Sequence, residues 1–131
     1  MPQSVATLLM FEGQAEKAMA LYMSAFRGST VLLMEKYGAD DDGPEGTVKR
    51  AEFTVARHSL MCIDSPIKHG FGFTPAVSLF VNCEDEAELV EAFGLLSDGG
   101  EVLMPLDNYG FSEKFCWIND RFGVSWQLSL G

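Results

Sequence analysis

The residues best suited to hold a metal ion are two histidines and one carboxylate, His58, His69 and Asp64. Imidazole and carboxylate groups are common ligands of zinc and other transition metals. His58 and Asp64, however, stand at opposite ends of a predicted strand, and an extended chain of that length separates them by about 20 Å. Asp64 and His69 can meet, but two ligands without a third are typical of surface polar groups. The spacing therefore predicts no metal centre here.

A nucleophile is equally hard to place, because no serine, cysteine or threonine stands in a recognisable setting with histidine and a carboxylate. Cys62 is the one candidate, since a thiol facing a cleft beside His58 or His69 would be reactive. The count of three cysteines, with Cys83 and Cys116, is odd and contains no CxxC pair. Neither a disulfide framework nor a zinc knuckle is indicated, and each cysteine is expected to be a small buried hydrophobe.

Aromatic rings and one amide near the end of the chain suit a small-molecule pocket better than a catalytic centre. Side chains alternate across a strand, so Gln127 should face away from Trp126 and Leu128. Trp126 is then expected to pack under a helix. Gln127, with Thr7, Ser78 and Trp117, is expected to give a neutral lining that has hydrogen-bonding groups but no obvious acid or base.

An internal duplication indicates which elements position these residues. The segment 7–10 (TLLM) matches 78–81 (SLFV), and each is an apolar run of strand length followed by a helical pattern. At an offset one residue longer, 35–38 (EKYG) falls on 107–110 (DNYG). The chain is therefore expected to contain two copies of one module.

Apolar residues at spacings of three and four predict one helix in each copy. The first stripe ends before Gly28 and the second before 98–100 (DGG), which suit helix ends. The first comprises Ala15, Ala18, Met19, Tyr22, Ala25 and Phe26, and the second Ala87, Val90, Phe93 and Leu96.

The remaining segments are short, rich in β-branched or aromatic residues and bounded by turn residues, which predicts strands. They are 30–37, 49–55, 59–64, 101–106, 114–118 and 124–130. The order is βαβββ twice, in modules 5–65 and 75–131 joined by the linker 66–74. The predicted class is α+β, a single domain of paired concave mixed sheets with helices outside and a ligand cleft between the sheets.

The predicted pair of βαβββ modules resembles the vicinal-oxygen-chelate superfamily, which includes glyoxalases, bleomycin-resistance proteins and dioxygenases. Paired modules of this kind define that superfamily. Three stretches resemble its PhnB-like branch, whose members often carry the label demethylubiquinone methyltransferase-like. They are 11–18 (FEGQAEKA) leading to Tyr22 and Phe26, 58–61 (HSLM) with Asp64, and 117–127 (WINDRFGVSWQ). The resemblance covers nearly the whole chain and implies a glyoxalase-like fold.

The metalloenzymes of this superfamily place His or Glu ligands at four positions, which the resemblance transfers to this chain. The first strands give Thr7 and Ala76, and the last strand gives Gln127, where an amide replaces a carboxylate. The fourth position lies within 61–63, where only Cys62 is a donor for a soft metal and Met61 is the other candidate lining residue. The resemblance therefore implies neither a metal nor a cofactor.

Methyl transfer is not expected either, because adenosylmethionine commonly needs a glycine-rich turn between a strand and a helix. The segment 70–72 (GFG) lies in the linker, and a predicted strand follows it with no helix between.

The composition of the chain argues against nucleic acids and membranes as binding partners. The formal charge of −10 repels the phosphates of nucleic acids and anionic membranes, and no apolar run approaches the length of a membrane span. The N-terminus lacks a basic segment followed by a cleavage site, which predicts a cytoplasmic protein. The resemblance further implies a homodimer.

Three functions follow from the sequence. The first is metal-free binding of an unidentified small molecule in the cleft, as in the drug-binding members of the superfamily. The second is a lyase, isomerase or dioxygenase whose metal site is displaced from the four positions above. The third is a homodimeric domain whose cleft is vestigial. Whether the protein is an enzyme stays open at this point.

Overall fold

The computed structural model describes all of residues 1–131, which form two compact units, Met1–His69 and Gly70–Gly131. Each unit contains a strand, a helix and three further strands, so the predicted α+β class and the duplicated βαβββ order are confirmed. The first unit has β1 (Thr7–Phe11), α1 (Ala15–Ala25), β2 (Thr30–Lys36), β3 (Val48–Val55) and β4 (His58–Asp64). The second has β5 (Leu79–Asn82), α2 (Glu86–Ser97), β6 (Glu101–Asp107), β7 (Lys114–Asn119) and β8 (Ser125–Leu130).

The two sheets share one topology. Their strand orders are β1-β4-β3-β2 and β5-β8-β7-β6, so the first strand of each module lies beside the last. That pairing is parallel, whereas the other neighbours are antiparallel. A parallel neighbour requires a crossover connection, and the helix of each module lies within it.

The apolar stripe predicted for α1 is confirmed, since all six of its residues are buried. Helix α1 packs on β3 and β4, and the ring of Tyr22 stacks on that of Phe53 with 6.3 Å between centroids. A fully buried aromatic or aliphatic side chain contributes about 1.5–3 kcal/mol of transfer free energy, so this face anchors the helix. Neither helix is long and apolar enough to cross a membrane.

The stripe predicted for α2 was wrong in register. Of its four residues only Leu96 is buried, and Val90 is 45% exposed. The buried face consists of Leu89, Ala92 and Leu96, which pack on β7 and β8. Helix α2 has apolar residues at many positions, so several stripes of helical spacing coexist in its sequence and periodicity alone does not select among them.

Each sheet therefore has a face covered by its own helix and a second face, which we call the helix-free face. Pairs in register share a face, and residues alternate between faces along a strand. Phe53, whose ring contacts α1, marks the helix-covered face of the first sheet. Trp126 marks that of the second, because it is 1% exposed and lies in β8 under α2, as the sequence predicted.

Candidate functional site

The residues predicted to line a ligand site near the C-terminus meet on the helix-free face of the second sheet. Gln127 of β8 lies opposite Trp117 of β7 and opposite Phe80 of β5. On the far side of Trp117, Met104 of β6 completes the row. An aromatic ring, an amide and a second ring thus stand on three adjacent strands, with about 4.8 Å between neighbouring strands.

Two hydrogen bonds fix the polar part of this row. The Gln127 Nε2 donates to the Ser78 Oγ at 2.8 Å, and the Trp117 Nε1 donates to the Ser125 Oγ at 2.8 Å. The first bond joins β8 to the residue that precedes β5, and the second joins β7 to β8. With Nε2 committed to Ser78, Gln127 retains its carbonyl oxygen as an acceptor for a ligand.

A cluster of aromatic rings adjoins this row, and sequence reasoning missed it. Phe115 is 2% exposed and sits beneath Tyr109 and Phe111, with ring centroids 5.9 and 4.9 Å away. Phe80 approaches the same ring at 6.3 Å. The sequence contained one sign of this cluster, because Phe115 and Trp117 are two residues apart and so share one face of β7. The positions of Tyr109 and Phe111 depend on the fold of the loop after β6, which a strand pattern does not predict.

In the first unit, only part of the predicted lining faces the helix-free side. Met61 lies opposite Glu52 and Leu8, and the 52% exposure of Leu8 shows that this side is accessible. Cys62 lies opposite Ala51 and Leu9 on the helix-covered side and is fully buried. Met61 and Ile63 therefore lie on the helix-free face, and Cys62 lies on the helix-covered face.

Thr7 also lies on the helix-covered side, because its partner in β4 is the buried Leu60. Its Oγ1 lies 2.9 Å from the Nε2 of His58, which is two residues before Leu60 in β4 and therefore on the same side. Ala76 lies exposed in a turn before β5 and brings no donor atom.

One charged pair on the helix-free side of the first sheet was not anticipated. Glu52 accepts a hydrogen bond from the Arg50 guanidinium at 3.2 Å, and the two side chains are 37% and 51% exposed. An exposed pair of this kind contributes little to stability. It does place a carboxylate beside Met61.

Asp64 has a structural role in place of the metal role considered from its spacing. Its Oδ1 accepts the backbone N–H groups of Gly13 and Ala15 at 2.8 and 3.0 Å, and its Oδ2 accepts that of Val48 at 2.9 Å. The side chain is 2% exposed. The His69 Nε2 lies 2.8 Å from the Oγ of Ser65, the residue that follows Asp64.

The second module contains a comparable carboxylate. Asp120 is 3% exposed and accepts the backbone N–H groups of Phe122 and Val124 at 2.9 and 3.1 Å through Oδ1. Its Oδ2 accepts the indole N–H of Trp126 at 3.0 Å. Each module thus uses its buried aspartate to bind backbone N–H groups.

The three cysteines are buried and free. Burial, aided by the charge of Asp64, raises the pKa of Cys62 to about 12. Burial also raises the pKa of Cys116 to about 12 and, together with Glu88 and Asp85, that of Cys83 to about 11. A nucleophilic cysteine requires the thiolate, so the reactive role considered for Cys62 is not supported.

The donors at the four positions implied by the resemblance do not fit a metal ion. Gln127 presents an amide bound to Ser78, Thr7 faces the helix-covered side, and Ala76 has no donor. Cys62, the remaining donor, is buried away from the helix-free face. No group of three or more His, Cys, Asp or Glu side chains is arranged to hold a metal ion.

The glycine-rich segment 70–72 does not precede a helix. It lies in irregular chain that leads through a turn at 75–76 into β5. The arrangement differs from the turn between a strand and a helix that cradles a dinucleotide or adenosylmethionine in doubly wound folds.

Comparison with known proteins places the chain in a family. Residues 3–129 match the model of the 3-demethylubiquinone-9 3-methyltransferase family. The sequence matches no curated protein. Among solved structures, a putative 3-demethylubiquinone-9 3-methyltransferase, PhnB protein, from Bacillus cereus is 50% identical, with a TM-score of 0.94 over 98% of this chain and 100% of the other.

More distant structures show the same fold. Protein PA1353 from Pseudomonas aeruginosa is 26% identical over 98% of both chains, with a TM-score of 0.84. The fosfomycin resistance protein FosX from Listeria monocytogenes, a point mutant in complex with Mn(II) and 1S,2S-dihydroxypropylphosphonic acid, is 12% identical over 100% of this chain and 94% of the other. Its TM-score of 0.70 supports the glyoxalase fold alone. The chain therefore belongs to the 3-demethylubiquinone-9 3-methyltransferase family, and its fold is similar to that of the vicinal-oxygen-chelate proteins.

Proposed function

We propose that the protein binds a small organic molecule, without a metal ion, on the helix-free face of its second sheet. One observation carries the proposal: the position that the metalloenzymes fill with a carboxylate holds Gln127, whose amide is fixed to Ser78 at 2.8 Å. An amide held in this way is a poor metal ligand but a good directional partner for a polar ligand.

Trp117 supports the same function. Its indole N–H is committed to Ser125, which fixes the orientation of the ring, and it stands beside Gln127 across the β7–β8 pairing. A ring and an acceptor that are held in place before binding lose little conformational entropy when a ligand arrives. Apolar walls with a few placed polar groups are typical of small-molecule sites.

The proposed contact residues are Ser78, Trp117 and Gln127, which all belong to the second unit. Thr7 and Cys62 are left out because their side chains lie on the helix-covered face. Ala76 stays a predicted lining residue, exposed and two residues before Ser78. The homodimer and the cytoplasmic location also stay predictions.

Tryptophan fluorescence offers a direct test, because the chain has two tryptophans and Trp126 is only 1% exposed. Small organic molecules that raise the thermal midpoint of the native protein should also change the emission of Trp117. A ligand that binds only the native state must stabilise it. Gln127→Ala should weaken binding about tenfold, the cost of a hydrogen bond in a desolvated site.

Two results would contradict the proposal. The first is near-stoichiometric zinc, nickel, iron or manganese in protein purified without chelator, which would favour the metal-dependent enzyme. The second is ligand affinity that Gln127→Ala and Trp117→Phe both leave unchanged. Val90→Ala serves as the control, because Val90 is an exposed apolar residue on α2, which covers the opposite face.

A further inference from the structure

We propose that the ligand of this site is a planar aromatic cation, and that Phe80 and Phe111 hold its ring beside the Gln127 amide. The inference rests on the proposed function and adds to it the chemical class of the ligand.

The two phenylalanines are unusually exposed for large apolar residues. Phe80 is 53% exposed and Phe111 is 62% exposed, although both lie against the buried ring of Phe115. Two large apolar rings left in water at one place are costly unless a partner covers them, and clustered exposure of this kind marks binding surfaces. The buried Phe115 ring holds both from beneath.

The aromatic cluster adjoins the polar residues of the site. Phe80 is the register partner of Gln127 in the β5–β8 pairing, and Phe115 is two residues before Trp117 on the same face of β7. Neighbouring strands are about 4.8 Å apart, so one ligand of two or three fused rings can contact the Phe80 ring and the Gln127 carbonyl oxygen together.

The charged residue nearest to this cluster on the helix-free face is acidic. Asp107 lies opposite Phe115 in the β6–β7 pairing, and Lys114, the nearest basic residue in β7, lies on the helix-covered side, where it binds Glu86 of α2. Partial burial and the charge of Asp107 raise the pKa of Tyr109, so the carboxylate acts on this cluster. Aromatic ring faces are themselves electron-rich and attract cations. The surface should therefore favour a cationic ring over a neutral one and disfavour an anionic one.

Three tricyclic probes that differ mainly in charge test the inference by calorimetric titration at pH 7.5. They are 9-aminoacridine, a cation; acridine, which is neutral; and acridine-9-carboxylate, an anion. We expect 9-aminoacridine to bind about three- to fivefold more tightly than acridine, as expected for an exposed cation–π contact, and the carboxylate to bind most weakly. Added salt should reduce the preference for the cation, because the Asp107 charge is then screened.

Variants assign the binding to the rings. Phe80→Leu and Phe111→Leu should each weaken 9-aminoacridine about three- to tenfold, and both should fold because each ring is more than half exposed. Asp107→Asn should narrow the difference between 9-aminoacridine and acridine. Val90→Ala, on α2, should leave all three affinities unchanged.

The outcomes separate this inference from the proposed function. Probe binding that depends on Gln127 but not on Phe80 or Phe111 would overturn the inference and leave the proposed function standing. Equal affinity for the cation and the anion, or no binding of any of the three probes, would also overturn it. The proposed function would fail separately, if no ligand responded to Gln127→Ala or Trp117→Phe.

Discussion

Asp64 and Val48 are joined across two strands, because the Asp64 Oδ2 accepts the backbone N–H of Val48 at 2.9 Å while its Oδ1 holds the entry to α1. One buried carboxylate thus satisfies three backbone donors, and those of Ala15 and Val48 are buried. An unpaired buried N–H costs about 1–3 kcal/mol, and bonds to a charged acceptor are the stronger ones.

Asp64→Asn should therefore lower the free energy of unfolding by about 2–4 kcal/mol, because the amide must turn an NH₂ group toward one of the backbone donors. Urea unfolding followed by circular dichroism measures the change. Asp42→Asn, at an exposed position, is the matched control and should have little effect. Equal stability of the two variants would mean that Asp64 does not hold these segments together.

The hairpin between β3 and β4 should gain stability from a glycine. Its two central residues, Ala56 and Arg57, have φ of 47° and 71°, in the left-handed region that L-residues avoid. Type I′ turns with this geometry favour glycine at the second position. Arg57→Gly should raise the free energy of unfolding by about 1 kcal/mol. Arg27→Gly, in a turn without positive φ at that residue, should not stabilise, and a gain there equal to that of Arg57→Gly would contradict the explanation.

Iodoacetamide should leave all three thiols of the native protein unmodified at pH 8. Cys62 and Cys116 are fully buried, and their pKa of about 12 leaves almost no thiolate. Mass spectrometry should detect three carbamidomethyl groups only after unfolding in urea. Rapid labelling of Cys62 in the folded protein would restore it as a candidate nucleophile.

The raised thiol pKa values also predict how stability depends on alkaline pH. A thiol ionises near pH 9 in the unfolded chain, whereas Cys116 ionises near pH 12 in the folded protein. Between these values the unfolded chain holds fewer protons, so the free energy of unfolding falls as pH rises, by up to about 1.4 kcal/mol per pH unit for each thiol. Urea midpoints at pH 8 and pH 10 should therefore differ less in Cys116→Ala than in the parent protein. An identical difference in both would show that Cys116 has no part in it.

Gln127→Glu would restore a carboxylate at the position that the metalloenzymes use, yet we expect no metal binding to follow. A second and third donor are missing, because Thr7 faces the helix-covered side and Ala76 has no donor atom. Titration with nickel or manganese chloride alone should give no stoichiometric binding to the variant. Tight binding of one ion would mean that other donors lie within reach of residue 127, and the metal-dependent function would then be favoured.

The sequence predicted most strand limits to within one residue, because turn residues bound them closely; β4, for example, was expected at 59–64 and spans His58–Asp64. It also predicted that Trp126 and Gln127 face opposite sides, since alternation along a strand is a local property. The faces of Thr7 and Cys62 were not predictable in the same way. They depend on how β1 and β4 align, and that register is set by contacts between distant segments.

The partners of Asp64 and the aromatic cluster escaped prediction for a related reason. Nothing local to Asp64 indicates that it would accept backbone donors near Gly13 and Val48. Phe111 joins Phe115 only because the loop after β6 folds back over the sheet. Buried polar groups and loops make contacts between residues that are distant in the sequence. Hydrophobic periodicity is a local pattern and does not predict such contacts.

The position of β1 beside β4 has a consequence for synthesis on the ribosome. The first strand to emerge must wait for the last strand of its module before it gains its neighbour, so the sheet cannot close until nearly the whole module has left the exit tunnel. Contacts of such long sequence separation form slowly. During that interval the edges of β1 and β3 that later pair with β4 stay open to pairing with other nascent chains, so chaperone demand should be greatest while the first module is complete only to β3.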